Sequence, residues 1–193
     1  MANTDQGQTD CQLYSQRSQP EMVQASFCRQ FSLRRLTNSQ PQHVDEEIER
    51  LCGMTRERAL RIDEVNLYDR LGQPAFTRLS QEFYSRVFND EEKWFRNIFK
   101  NSTIEEAIQN QMEFFMQRLG GPPLYSQRKG HPALIMRHLK FNMSLKATER
   151  WVYHMQQALA ATAEIDEDSR ERMLDFFTHT AYFLHLGVTS RHA

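Results

Sequence analysis

A single histidine at the end of a short apolar segment is the first feature of this chain that suggests chemistry. His138 follows the Gly-Pro-rich stretch RLGGPPLYSQRKG at 118–130 and closes the segment PALIMRH at 132–138. One histidine on a short apolar helix is a poor metal chelate by itself, but it is the usual source of a single axial ligand to a haem iron. A lone histidine is also common as a structural side chain, and both interpretations stay open at this point.

Three hydrogen-bond donors lie on the apolar stripes of predicted helices: Tyr84, Gln111 and Trp151. A buried polar group needs a partner, and each of these donors could find a backbone carbonyl inside the core. Gln111 is the more informative case, because glutamine is mostly exposed in proteins and this one shares its stripe with Ile108 and Phe115. Three donors converging on one dry cavity would stabilise a partly negative ligand, such as dioxygen bound to iron.

The remaining histidines do not define a metal site by their spacing. His131 and His138 are seven residues apart, which is not the i, i+4 spacing of a zinc-binding helix. The sequence contains no HExxH, GxSxG or P-loop motif, and no GxGxxG after a predicted strand. Spacing alone therefore predicts a helical domain with an apolar pocket and specifies no reaction.

Composition predicts one ordinary soluble domain plus a tail. The chain has 193 residues, of which 39% are hydrophobic and 13 are Phe, enough to build a core or to line an apolar cavity. The net charge of −1 argues against a nucleic-acid partner. No apolar run approaches the roughly 20 residues that span a bilayer. Three cysteines without CxxC spacing, Cys11, Cys28 and Cys52, indicate a reducing compartment, and we expect a cytoplasmic protein.

The first third of the chain differs in composition from the rest. Residues 1–44 are rich in Gln, Ser, Asn and Thr, and we expect them to be disordered. The run FCRQFSLRRL at 27–36 suggests an organelle transit peptide instead, although acidic residues nearby argue against it. A charged segment at 45–61 is expected to form a lead-in helix. These features predict an N-terminal extension at 1–60 and one domain at 62–187.

Within 62–187, every strong pattern is helical. We predict helices over 66–72, 74–88, 92–99, 102–119, 132–138, 144–163 and 166–187. Ser102 with Glu105 is expected to form the capping box of the helix that they open, and Gly187 to end the last helix. The stretch between residues 119 and 131 is expected to be a loop with an exposed Tyr125. No period-2 run is bounded by turns, so the predicted fold class is all-α.

Four sequence runs together resemble the truncated haemoglobins, the two-on-two globin family, and within it the plant-type branch of group II. They are FY at 83–84, RLGGPPLYSQRKGHPALIMRH at 118–138, ERWVYHM at 149–155 and FFTHTAYFLHLG at 176–187. The resemblance covers residues 62–187. It implies a globin-like two-on-two helical sandwich, one haem b per chain, and O2, CO and NO as small ligands.

The resemblance also implies the haem ligand and part of the haem contacts. His138 takes the position of the proximal iron ligand, after GHP and before ERW. Phe115 and Leu134 are expected to line the haem. Arg137 and Arg128 are expected to meet its propionates.

The other implied contacts lie on the distal side. Tyr84 falls on the distal tyrosine of the second helix, and Phe99 on the aromatic residue that packs on the haem ring. Gln111 and Trp151 are the remaining distal donors. Ala107 stands where many globins carry a distal histidine, so control of the ligand would rest on Tyr84, Gln111 and Trp151 together.

Three functions remain open from the sequence. The first is reversible binding of O2, CO or NO with slow release, suited to sensing or scavenging. The second is a redox enzyme, such as a nitric oxide dioxygenase or a peroxidase-like protein, which would need an external reductase. The third is a helical interaction module without haem. The family that the chain resembles contains monomers and dimers, so a homodimer also remains open.

Overall fold

A computed structural model describes residues 41–192, with side chains from residue 43 onward. Disorder or a transit peptide was predicted for residues 1–44, of which residues 1–40 lie outside the described residues. Residues 41–44 are helical, so the prediction of disorder is wrong for them. The all-α prediction is confirmed, because residues 41–192 contain nine α-helices, one 3₁₀-helix and no strand. The helices are α1 (Pro41–Cys52), α2 (Arg56–Leu60), α3 (Leu67–Phe88), α4 (Lys93–Arg96), α5 (Ile104–Arg118), α6 (Leu124–Lys129), α7 (Leu134–His138), α8 (Leu145–Ala161) and α9 (Glu167–His192), with the 3₁₀-helix at Arg61–Glu64.

The four long helices form a sandwich of two pairs. Helix α3 packs against α5, and α8 packs against α9. Helix α3 also packs against α8, which joins the two pairs. Their apolar stripes meet in one main core, which includes Phe76, Leu79, Phe83, Met116, Met155 and Met173. This arrangement is the sandwich that the resemblance implied.

Helix α3 contains a break where the sequence predicts one. Asn66 caps the helix by accepting a hydrogen bond from the Asp69 N–H at 3.1 Å. Gly72 then adopts φ 71°, a left-handed conformation that glycine takes without steric cost. Pro74 follows in the first turn of the continuing segment. The chain therefore enters the long part of α3 through a bend at Gly72.

The cap of helix α5 differs from the prediction by one residue. Thr103, not Ser102, is the N-cap, and its hydroxyl accepts a hydrogen bond from the Glu106 N–H at 3.1 Å. Thr103–Glu106 repeats the spacing of Ser102–Glu105, so the sequence offers two equivalent capping boxes. The structure uses the second one.

The predicted end of helix α9 at Gly187 is wrong. The helix continues to His192, and Gly187 lies inside it. A Cβ at this position would come within 2.5 Å of the Ile135 Cδ1 atom. Glycine therefore allows α7 to approach α9 closely, and it does not end the helix.

The segment between α5 and α7 is also more ordered than predicted. Residues 124–129 form helix α6, and the Tyr125 side chain is buried, not exposed. The Tyr125 ring packs edge-on against Phe114, with 5.6 Å between ring centroids. The Gly-Pro-rich stretch thus supports a short helix that contributes to the core.

The lead-in helix predicted at 45–61 is present as α1 and α2, and α1 packs on the rest of the protein. Val44 and Ile48 are buried in a second apolar cluster with Ile135 of α7 and Val188 of α9. The folded body therefore extends beyond the boundary expected at residue 60. Among the described helices, none is both long and apolar enough to cross a membrane.

Candidate functional site

A cavity of about 590 Å³ lies between the two helix pairs and helix α7. This volume is within the range of about 300–1,000 Å³ that cofactor and small-molecule sites occupy. Eight of the nine residues assigned to the haem from the sequence line this cavity: Tyr84, Phe99, Gln111, Phe115, Leu134, Arg137, His138 and Trp151. Residues from distant parts of the chain thus meet in one mostly apolar chamber.

His138 is held by its own helix with one ring nitrogen occupied. Its Nδ1 lies 2.6 Å from the Leu134 carbonyl oxygen. A carbonyl only accepts, so Nδ1 carries the proton and donates it, and Nε2 of the neutral ring keeps a lone pair. Burial lowers the pKa of His138, and the Leu134 carbonyl opposes this effect only in part. The result is a neutral imidazole in a fixed tautomer, which is the form that binds a metal.

The turn before α7 fixes the position of that helix. Ala133 has φ 41°, a left-handed conformation that costs an L-residue roughly 1–2 kcal/mol. The Ala133 N–H donates to Nδ1 of His131 at 3.0 Å. Two residues later, Ile135 is almost completely buried and lies next to Gly187 of α9. The hydrogen bond to His131 before the turn and the packing of Ile135 after it therefore hold the strained conformation that places His138.

The distal tyrosine and tryptophan lie in an aromatic environment. The Tyr84 ring meets Phe99 edge-on at 6.3 Å, and Trp151 lies 5.1 Å from Phe83 and 6.5 Å from Phe177, all between ring centroids. Burial raises the pKa of Tyr84 far above its usual value. The Tyr84 hydroxyl is therefore protonated at all physiological pH values and can act as a donor.

Gln111 carries an unsatisfied polar atom. The residue is buried, and its Oε1 has no hydrogen-bond partner among the described residues. Leaving such an acceptor unpaired costs about 1–3 kcal/mol. The amide N–H₂ of the same side chain is the group that can donate to a ligand in the cavity. A cofactor-sized apolar cavity with one available imidazole nitrogen fits haem.

The two arginines assigned to the haem propionates have different surroundings. Arg137 lines the cavity, and its guanidinium donates to the carbonyls of Lys129 at 2.5 Å and His131 at 2.9 Å. Arg128 is not in the cavity wall, and its expected place at a haem propionate stays a prediction. Its Nε donates to the buried carboxylate of Glu113 at 2.8 Å, and that carboxylate needs a cation.

Other residues line the cavity without having been assigned to it from the sequence. Lys129 and Lys140 bring positive charge to its edge. Phe177, Ala181 and Leu184 of α9 form a further wall. Their helical spacing was visible in the sequence as a core stripe, but only the packing of α9 turns this stripe towards a cavity.

A buried carboxylate supports one side of the cavity from outside. The side chain of Asp90 is fully buried and accepts hydrogen bonds from Arg150 Nε at 2.7 Å, from Arg150 Nη2 at 2.6 Å and from Nε2 of His154. Burial alone would raise the pKa of Asp90, but the bonds from Arg150 and His154 outweigh it and hold the pKa well below its usual range. The His154 ring stacks on Phe95, 5.5 Å away, and Phe95 lines the cavity.

Comparison with known proteins agrees with this architecture. The family model of bacterial-like globins matches residues 66–183. A two-on-two hemoglobin-3 from Arabidopsis thaliana is 55% identical over 146 residues, which cover 76% of this chain and 83% of that protein. A group 2 truncated hemoglobin 3-1 from Lotus japonicus is 50% identical over 147 residues, covering 76% of this chain and 88% of that protein.

A solved structure supports the same relationship. The thermostable hemoglobin of the actinobacterium Thermobifida fusca matches with a TM-score of 0.57 and 30% identity, covering 61% of this chain and 94% of that one. Globins bind haem, and through it small gas ligands such as O2. The matched range includes α3 to α8 in full and most of α9. The chain therefore belongs to the bacterial-like globin family, as a truncated haemoglobin of the plant-type group II.

Proposed function

We propose that the chain binds one haem b through Nε2 of His138 and takes up O2, and also CO and NO, reversibly. The observation that carries this proposal is the hydrogen bond from His138 Nδ1 to the Leu134 carbonyl, because it leaves the other ring nitrogen available in the cavity wall. When bound, haem supplies the iron that binds the gas. The chain supplies the apolar chamber, the axial nitrogen and the distal donors.

The distal donors favour slow release of the gas. Tyr84, Gln111 and Trp151 line the same cavity, and each carries an N–H or O–H group. A hydrogen bond to the ligand is worth about 1 kcal/mol, so three such bonds slow dissociation by roughly a hundredfold or more. Slow release suits scavenging or sensing better than bulk transport. Ala107, which also lines the cavity, has no N–H or O–H in its side chain and adds no further donor.

The second candidate is a redox enzyme at the same site. The three donors would also stabilise charge that develops on a reacting ligand, as nitric oxide dioxygenase or peroxidase-like chemistry requires. Such turnover needs electrons from an external reductase. Measuring NO consumption with a supplied electron donor separates the two candidates, because a binding protein consumes no more than one equivalent.

Haem ligation is tested with a histidine pair in similar surroundings. His185 also has its Nδ1 2.6 Å from a backbone carbonyl, that of Met143, but it does not line the cavity. We expect His138→Gly to lose or shift the Soret band of the ferrous protein, and added imidazole to restore it. His185→Gly is expected to keep the wild-type Soret band. If His138→Gly binds haem with an unchanged spectrum, His138 is not the ligand.

The role of the donors is tested by stopped-flow measurement of O2 dissociation. We expect Tyr84→Phe, Gln111→Leu and Trp151→Phe each to speed release about fivefold, the equivalent of about 1 kcal/mol. The matched control is Tyr153→Phe, which removes an exposed hydroxyl outside the cavity. Unchanged rates in all three cavity variants would refute a role for these donors.

A further inference from the structure

A second cavity, of about 340 Å³, lies between α4, the turn into α5 and the segment that follows α7. Its polar lining consists of donors: Lys100, Lys140, Asn97, Asn101, Asn142 and Ser102. None of the described residues that line it is acidic. A concave surface with two ammonium groups, three amides and a hydroxyl, and no carboxylate, is suited to a negatively charged ligand.

The lysines of the chain gather at this cavity. The sequence has only five lysines, and Lys129 is paired with Glu106 at 3.3 Å. Of the other four, Lys100 and Lys140 line the cavity. The Lys146 ammonium lies 4.5 Å from the ring centroid of Trp94, a lining residue, and Lys93 precedes Trp94 on α4.

These four lysines differ from most of the described arginines in their pairing. Within residues 41–192, no carboxylate lies within 4.0 Å of any of the four ammonium groups. Arg58, Arg70, Arg86, Arg118, Arg128, Arg150 and Arg172, by contrast, form close ion pairs. A chain of net charge −1 thus places four cations without an ion pair at or next to one cavity. Such a local field attracts anions and raises their concentration at the site.

One wall of this cavity also carries an unsatisfied donor. The indole N–H of Trp94 is buried and has no hydrogen-bond partner in the described part of the chain. A buried donor without an acceptor costs about 1–3 kcal/mol, and most such groups in proteins are paired. Because this N–H has almost no access to solvent, an anion in the cavity would accept a hydrogen bond from it only after a shift of the indole ring.

The second cavity adjoins the large one. Ile98, Ser102, Lys140, Phe141 and Asn142 line both of them. An anion in the second cavity would therefore lie at the edge of the chamber that contains His138. This edge is where a charged small molecule can approach the chamber without entering it.

We propose that the second cavity is a binding site for a small organic polyanion, one that carries two or more carboxylate or phosphate groups. The volume fits a small molecule, and the donors line a concave surface, so the site takes a small ligand and not the flat face of another protein. Lys100 and Lys140 contact its charges directly, while Lys146 and Lys93 contribute to the surrounding field. The proposal does not depend on the ligand role of His138.

The test uses the full-length, haem-loaded protein in its diamagnetic ferrous-CO form. Its two tryptophans, Trp94 and Trp151, give two indole N–H signals in ¹⁵N-labelled protein, assigned with Trp94→Phe. We expect citrate to shift the Trp94 signal saturably and to leave the Trp151 signal in place. The carboxylates of haem itself are already present, so a citrate-dependent shift reports a separate anion. Pyrophosphate, titrated in parallel, distinguishes a carboxylate preference from a phosphate preference.

Lysine substitutions distinguish binding of citrate at this cavity from a general effect of ionic strength. We expect Lys100→Gln with Lys140→Gln to raise the citrate dissociation constant about tenfold or more, because two charge-assisted contacts are lost. Lys93→Gln, the control, removes an equally exposed lysine that does not line the cavity, and we expect a change of less than about twofold. The proposal is overturned if sodium chloride at equal ionic strength gives the same shift. It is also overturned if the double variant binds citrate like the wild type.

Discussion

Replacing Asp90 with asparagine would test how the turn after α3 is held to α8. The Asp90 side chain is fully buried, and its oxygens accept three hydrogen bonds from Arg150 and His154. Asparagine keeps the shape of the side chain but removes the charge. The Arg150 guanidinium, which is 24% exposed, and the His154 ring, which is 9% exposed, then no longer contact the charged Asp90 carboxylate.

The loss of stability expected for Asp90→Asn follows from the burial of this ion pair. Removing one partner of a buried ion pair costs about 3–5 kcal/mol, because the remaining charge is left uncompensated. Water reaches part of Arg150, and the exposed Glu91 carboxylate stays 3.5 Å from its guanidinium, so we expect the lower end, about 3 kcal/mol, for Asp90→Asn at pH 7. This is a large fraction of the roughly 5–15 kcal/mol that stabilises an ordinary domain.

The effect must also depend on pH with a definite sign. The pKa of Asp90 is lower in the folded protein than in the unfolded chain. The stabilisation is therefore complete above the unfolded pKa of about 3.9 and is lost as the pH falls from there towards the folded pKa. The gap between wild type and Asp90→Asn should be largest at neutral pH and should shrink below about pH 4.

Urea denaturation of the ferrous-CO protein, followed by far-UV circular dichroism from pH 7 to pH 3, measures this gap. Asp168→Asn is the control, since Asp168 also has a lowered pKa and bonds to Arg70 and Arg172 but lies at the surface. We expect a much smaller change for Asp168→Asn than for Asp90→Asn. Equal stability of the two variants at pH 7, or a gap for Asp90→Asn that persists undiminished at pH 3, would refute the reasoning.

Three further substitutions test the packing around the site. Ile48→Ala is expected to cost about 2–4 kcal/mol by urea denaturation, because Ile48 is completely buried against α7 and α9; a cost near zero would mean that α1 does not pack there. Gly187→Ala is expected to cost about 1–3 kcal/mol, since its methyl group would collide with Ile135, and a stabilised variant would contradict the close approach of the helices. Thr103→Ala should lower the free energy of unfolding by about 1 kcal/mol, while Ser102→Ala should have little effect. The reverse order in a thermal melt would mean that Ser102 caps the helix, as the sequence predicted.

The helices and several residues of the cavity wall were predictable because their patterns are local or carry a family signature. Apolar residues at helical spacing define α3, α5, α8 and α9 without reference to the rest of the chain. His138 is marked by the short apolar segment that it ends, and Tyr84 and Gln111 by being polar on apolar stripes. The structure brings all three to one cavity.

The features that sequence reasoning missed depend on partners far along the chain. Gly187 is compatible both with a helix end and with a close helix contact, and only the position of Ile135 decides between them. The ion pair of Arg128 with Glu113 was not predicted, because only the packing of the neighbouring α5 places Glu113 beside it. Lys129 and Lys140, which line the large cavity, follow no periodic pattern in the sequence. Lys129 is the last residue of α6, and Lys140 lies beyond the end of α7.

The contact between Gly187 and Ile135 has a consequence for how this sequence can vary among relatives. The space between α7 and α9 is filled by Ile135, and the buried Ile48 of α1 completes the same cluster. A larger residue at 187 is therefore tolerated only together with a smaller one at 135, and a smaller residue at 135 leaves a gap beside Ile48. We expect these three positions, which join α1 to the helix carrying His138, to vary together among relatives. A relative that lacks α1 must therefore fill this space with a different combination of side chains.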